Sequence, residues 1–221
     1  MLNLRHATVG DIPLLAQVEY EATLPPFNQC FWDELVEHTQ TPTLKFIEAM
    51  LKADASLWGN VNDFWVLEEN DVPVAAAAGY VPDLDDYRPL RLSKLDAIAQ
   101  ILGWSAQTTE MFRDRYFQFW SDHPKPPFLA PYAPWVIETV AVLPDKRGRG
   151  LGKALIERIL EQGRAQGHSH AGIMVINGNE RARHTYEAVG FQPYQAFYSQ
   201  YFQQLFQLDF PGITKFCFAF N

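Results

Sequence analysis

Arg147-Gly148-Arg149-Gly150-Leu151-Gly152 lies between an apolar run ending at Val142 and an amphipathic stretch beginning near Lys153. This loop constrains the fold more than any other segment, because it demands a strand, a tight turn and a helix in succession. The first turn of a helix carries unpaired N–H donors and the positive end of the helix dipole, so it attracts anions. Glycines there let the main chain approach a ligand that a Cβ would hold away. Arg147, Arg149 and Lys153 add cations at the same spot. A diphosphate-bearing cofactor is the implied occupant.

Two nucleotide-binding patterns fail on particular residues. A P-loop needs glycine where Arg147 stands and a hydroxyl where Ala154 stands. The dinucleotide fingerprint G-x-G-x-x-G is broken because the loop reads G-x-G-x-G from Gly148, with Leu155 in the final slot counted from Gly150. What remains is [QR]-x-x-G-x-[GA], matched by Arg147, Gly150 and Gly152. A second block, from Asn179 to Phe191, reads N-x-x-A-x-x-x-Y-x-x-x-G-F through Asn179, Ala182, Tyr186, Gly190 and Phe191.

With both blocks in this order, separated by one helix and one strand, the chain resembles the GNAT superfamily of acetyl-CoA-dependent N-acetyltransferases. The resemblance is close over about residues 135–198 and extends elsewhere through the order of elements. It implies an α/β fold: a mixed, mostly antiparallel sheet with helices on both faces, ordered β-α-α-β-β-(αα)-β-α-β-α-β-β. It also implies acetyl-CoA as co-substrate, no metal, a small-molecule or peptide amine as acceptor, and a possible homodimer.

At 221 residues and 48% hydrophobic, the chain is large enough for one well-buried core, and it reads as a single domain over 1–221. Its net charge of −8 argues against nonspecific nucleic-acid binding and mildly favours a cationic acceptor. Cys30 and Cys217 lack metal spacing and read as reduced thiols. No signal-peptide pattern or membrane-spanning apolar run is present, so a cytoplasmic protein without membrane contact is expected.

Leu2 to His6 reads as a first strand, and Thr8-x-x-Asp11 as a capping box opening a helix to about Ala22, stopped by Pro25-Pro26. Thr41-Pro42 predicts a second helix with Leu44, Ile47 and Leu51 on one face. Phe64–Leu67 and Val74–Tyr80 form a predicted hairpin turning at Glu69-Asn70-Asp71. About residues 82–134 form an insertion between the third and fourth strands. It carries one helix capped by Ser93-x-x-Asp96 and another aligning Phe112, Tyr116, Phe119 and Trp120. Those stripes suit packing on the core or a second subunit, or a lid over an acceptor cleft. Trp135–Val142 and Ala171–Ile176 read as buried strands, and Ile213–Phe220 as the last strand.

The resemblance places a pantetheine arm beside the main chain of Val140, Ala141 and Val142, and the diphosphate over Arg147, Gly148, Arg149, Gly150, Leu151, Gly152 and Lys153. Asn179 falls on the family's pantetheine contact, though an asparagine at a helix start is equally an N-cap. Tyr186 falls on the tyrosine that serves as general acid, protonating the departing thiolate. Glu138, a carboxylate within an apolar strand, is the candidate base, directly or through water, because burial raises a carboxyl pKa. A salt-bridged or solvent-facing glutamate fits that position equally. Relatives that acetylate protein N-termini often carry glutamate where this chain has Met174, which leaves the base open. Tyr194, Phe197, Tyr198, Tyr201 and Phe202 form an aromatic segment suited to an acceptor wall, a core or a dimer contact. A non-catalytic acyl-CoA-binding module and a transferase for a longer acyl group are the alternatives to an acetyltransferase.

Overall fold

The computed structural model describes residues 2–120, 126–206 and 209–220. Seven strands form one sheet: β1 (Leu2–His6), β2 (Phe64–Glu69), β3 (Val72–Tyr80), β4 (Trp135–Val142), β5 (His170–Ile176), β6 (Gln192–Tyr198) and β7 (Gly212–Ala219). Their spatial order is β1-β2-β3-β4-β5-β7-β6. Every pairing is antiparallel except that of β4 with β5. The expected mixed, mostly antiparallel sheet is therefore present, with helices on both faces.

Apolar side chains alternate across a strand, so one sheet needs two covers. Helices α1 (Ile12–Thr23), α2 (Phe31–Val36), α3 (Thr43–Lys52), α4 (Leu95–Leu102) and α5 (Ala106–Trp120) supply the first. Beneath them lie Val66, Ala76, Ala78, Tyr80, Val136 and Ala141. Helices α6 (Leu151–Ala165) and α7 (Glu180–Val189) cover the other face, over Trp65, Ile137, Ala171, Ile173 and Phe216. The final helix, α8 (Ser199–Phe206), connects β6 to β7.

The insertion between β3 and β4 carries two helices, as predicted, and they are part of the core. Phe112 of α5 packs on Phe46 of α3 at 4.9 Å between ring centroids, and on Trp104 at 5.3 Å. The buried Tyr116 hydroxyl donates to the Leu90 carbonyl and accepts from the Leu90 N–H, both at 3.1 Å. Residues 126–134 then return along the sheet into β4.

Several local expectations are corrected. Pro42, not Thr41, is the N-cap of α3, and Leu44 is exposed while Phe46, Ile47, Met50 and Leu51 are buried. Proline's fixed φ suits the cap as well as the first helical position, which moves the start by one residue. Ser93 falls in a short 3-10 turn (Leu92–Lys94), so Lys94 caps α4 instead. Thr8 and Asp11 likewise frame a 3-10 turn ahead of α1, with the Thr8 N–H donating to Asp11 at 2.7 Å. Helices α2 and α8 were not anticipated. Each is one or two turns long, too short for periodicity to register.

Candidate active site

The site is built where β4 and β5 separate. Only Trp135 with Ala171 and Val136 with Gly172 are paired, and beyond them the two strands diverge. The other side of β4 stays paired with β3, but its register slips between Ala76 and Ala78. Thr139 and Val140 oppose Ala77 alone, and Thr139 adopts φ 57°, an uncommon conformation for a β-branched residue. The bulge breaks alternation. Glu138 and Ala141 come to share the face of α1, whereas Ile137, Val140 and Val142 lie on the face of α6. Sequence reading foresaw the strand but contains no sign of this bulge.

Glu138 is held beneath the surrounding protein with part of its surface open to a cleft. Tyr80, Val136, Tyr132, Met174 and Lys215 also line that cleft, together with Trp58 and Asp83. Burial pushes the Glu138 carboxyl up to about 8, against weaker opposing effects from the Thr139 N–H and the charge of Lys215. The carboxylate thus titrates close to neutrality, as a base must.

Tyr186 approaches the same region from the opposite face, buried among the rings of Phe191 and Phe216. Burial, reinforced by the negative charge of Glu138, holds its phenol well above the ordinary range. The hydroxyl stays protonated at physiological pH and has no hydrogen-bond partner among the described residues. Asn179 caps α7, its Oδ1 accepting from the Ala182 N–H at 3.2 Å. The structural half of its two readings is therefore present.

The glycine loop has the predicted form. Gly148 and Gly150 both have positive φ, 81° and 76°, and a Cβ built on Gly150 would meet nothing within 4 Å. The first loop-to-helix bond is donated by Ala154 to the Gly150 carbonyl at 3.1 Å. The amides of residues 148–153 therefore have no backbone acceptor among the described residues. Donors facing open space at a helix start fit a diphosphate. The arginines are not idle, however. Arg147 donates to Glu21 at 2.7 Å, and Arg149 donates to Glu69 at 2.9 Å. Lys153 lies 3.7 Å from Glu157. The loop's positive charge is partly offset by acids from α1 and β2.

Two residues that sequence reasoning missed complete the cleft. Tyr132, from the returning insertion, directs its hydroxyl at the carbonyls of Ile173 (2.7 Å) and Phe216 (3.0 Å). It crosses the sheet above Gly172, where any Cβ would lie 2.9 Å from the tyrosine ring. Lys215 of β7 is 2% exposed and stands beside Met174 in the β5–β7 register. A lone charge within an apolar strand was the signal that singled out Glu138. Ile213 to Phe220 carries the same signal at Lys215.

Of the aromatic segment, Phe197 turns toward Lys215 and Tyr194 stacks on Tyr132 at 5.4 Å, but Tyr198 is largely exposed. Burial pushes the Cys30 thiol up to about 11, which disfavours a nucleophilic thiolate there. Among the described residues, no group of three or more His, Cys, Asp or Glu could hold a metal ion. No helix among them is long and apolar enough to cross a membrane.

A model of the acetyltransferase (GNAT) family matches residues 30–191, most of the chain and all of the divergent strands and glycine loop. The chain belongs to this family. Mycothiol acetyltransferase of Beutenbergia cavernae is 43% identical over 65 residues, which cover 29% of this chain and 22% of that protein. The fold is similar to that of an N-acetyltransferase from Staphylococcus aureus Mu50, with a TM-score of 0.59 at 16% identity over 97% of this chain and 99% of that one. It is also similar to YncA of Salmonella typhimurium, solved with its cofactor acetyl-CoA, with a TM-score of 0.51 at 14% identity over 100% and 94% of the two chains. In this GNAT chain the insertion's return segment, β4 and β7 together line the cleft that holds Glu138.

Proposed function

We propose that this protein transfers an acetyl group from acetyl-CoA to a primary amine by direct attack within a ternary complex. The observation that carries the reading is the gap between β4 and β5, with Glu138 on one face of the sheet and Tyr186 on the other. The glycine loop, whose amides have no backbone acceptor among the described residues, stands at one end of it. Residues 148–153 would hold the diphosphate with their N–H groups, and the main chain of Val140, Ala141 and Val142 would hold the pantetheine arm. Asn179 would add a polar contact to that arm.

Bound acetyl-CoA supplies an activated acyl carbonyl. The protein supplies position and proton transfer. An ammonium is no nucleophile, so the arriving amine must be deprotonated, and Glu138 is the group that titrates in the right range, directly or through one water. A β4 amide facing the gap would polarise the thioester oxygen, an effect that commonly carries much of acyl-transfer catalysis. Tyr186 keeps its proton until negative charge develops on sulfur, then donates it to the departing thiolate. No covalent enzyme intermediate is needed.

Both the open cleft and the net charge of −8 favour an amine acceptor, and the similarity to a mycothiol acetyltransferase over 65 residues agrees with acetyl transfer. The test is release of free thiol from acetyl-CoA over a panel of small amines and N-terminal peptides. Acetylated product from at least one amine is expected. Tight CoA binding with no amine ever turned over would instead mark a non-catalytic acyl-CoA-binding protein.

A further inference from the structure

Among the described residues Lys215 is the most buried cation, and its surroundings are built around it. Its Nζ donates to the Ala130 carbonyl at 2.9 Å. The same ammonium lies 5.1 Å from the centre of the Tyr132 ring and 5.4 Å from that of Phe197. A carbonyl oxygen and two aromatic faces all attract positive charge, and none can neutralise it. Among the residues lining the cleft, Lys215 is the single cation.

Titratable groups that act on Glu138 come from four elements. Tyr80 lies on β3, Tyr132 on the returning insertion, Tyr186 on α7 and Lys215 on β7. Asp83 lines the same cleft, and Asp63 acts on Tyr80. All three tyrosines are held above their ordinary range by burial, so they are neutral. Both aspartates share the sign of Glu138. Only Lys215 opposes it.

We infer that Lys215 is a positioning residue for the base, a caged ammonium whose charge favours the carboxylate form of Glu138 as the amine arrives. The inference rests on Glu138 acting as base. Burying a carboxylate alone is costly, and an opposite charge nearby recovers part of that cost. In support, burial brings the Lys215 ammonium down to about 8 while the charge of Glu138 opposes the fall. Its cage draws on two elements far apart in sequence, the insertion and β6, which ties the insertion to the chemistry without any lid.

The test follows the Glu138 carboxyl directly, by carbon-13 NMR titration of carboxyl-labelled glutamate, with the signal assigned by its loss in Glu138→Gln. Lys215→Met keeps the length of the stem among the rings and removes the charge. Lys215→Gln is a second neutral variant that retains a donor for Ala130. Lys215→Arg retains the charge. Loss of a nearby positive charge disfavours the carboxylate, so the titration should move up by about one pH unit in the Met and Gln variants. It should return toward the wild-type position in the Arg variant.

The acidic limb of kcat/KM should move with it, measured with an amine that stays neutral across the range. A titration unmoved in both neutral variants overturns the inference. A titration that moves while the kinetic limb stays in place leaves the charge pairing intact and removes Glu138 as base, and with it the role assigned to Lys215.

Discussion

The Arg147 guanidinium donates to the Glu21 carboxylate at 2.7 Å, while its Nε–H donates to the Val142 carbonyl at 3.0 Å. One side chain thereby joins the end of α1, the end of β4 and the glycine loop. The guanidinium proposed to meet a diphosphate is already engaged by an acid from α1.

Arg147→Ala should weaken coenzyme A binding about tenfold, since one charge-assisted contact is lost at a partly exposed site. Glu21→Gln should tighten it severalfold, because the competing carboxylate is removed. Calorimetry with coenzyme A decides. If Glu21→Gln weakens binding as much as Arg147→Ala does, the pair orders the loop rather than competing for the ligand.

Tyr186→Phe should reduce kcat about a hundredfold, the lower range for a lost general acid, with coenzyme A affinity unchanged. Folding should be little affected, because the hydroxyl has no hydrogen-bond partner to lose among the described residues. A steady-state comparison together with thermal melting separates the two effects. Undiminished turnover would remove the hydroxyl from the mechanism.

Glu19 is buried on α1 and accepts from the Trp32 Nε1–H at 2.9 Å. Burial pushes its carboxyl up to about 7, only partly countered by that bond. The folded protein therefore holds a proton that the unfolded chain releases above its ordinary value near 4.3. The associated stabilisation is full below that value and is lost as pH rises through about 7. Glu19→Gln keeps an acceptor for Trp32 and cannot ionise, so it should be the more stable form at pH 8, by about 1–3 kcal/mol. Denaturant titrations from pH 5 to 8 should show the gap between the two proteins widening. A gap independent of pH would contradict this account.

Phe112→Ala should cost about 3–5 kcal/mol, the range for deleting a buried aromatic ring. Phe112 is fully enclosed between α3 and α5, so loss of the ring should destabilise the whole protein in one cooperative transition. A variant that melts like the wild type but releases product faster would mean that α5 behaves as a lid instead.

The parts of the site that were readable in the chain are those whose chemistry is local. The Arg147–Lys153 loop and the Asn179–Phe191 helix each hold their defining residues within a few turns of backbone, so residue type and spacing were enough. Glu138 stood out because a carboxylate in an apolar strand needs a reason. Lys215 offered the same sign, but its partners Ala130, Tyr132 and Phe197 lie on other segments, and nothing along the chain marks them. Glu21 reads as an ordinary acid at the end of a helix until the fold brings it against Arg147, 126 positions later.

Spacing and turn chemistry, which act over short stretches, determined the strand–loop–helix unit and set Glu138 apart in an apolar strand, while the resemblance to a family implied the order of the main elements and singled out Tyr186. Tertiary structure alone decided the bulge at Thr139, the parting of β4 from β5, the cage around Lys215 and the use of the insertion as core. Those depend on which surfaces meet when the two faces of the sheet are covered, and that choice is made by packing between distant segments.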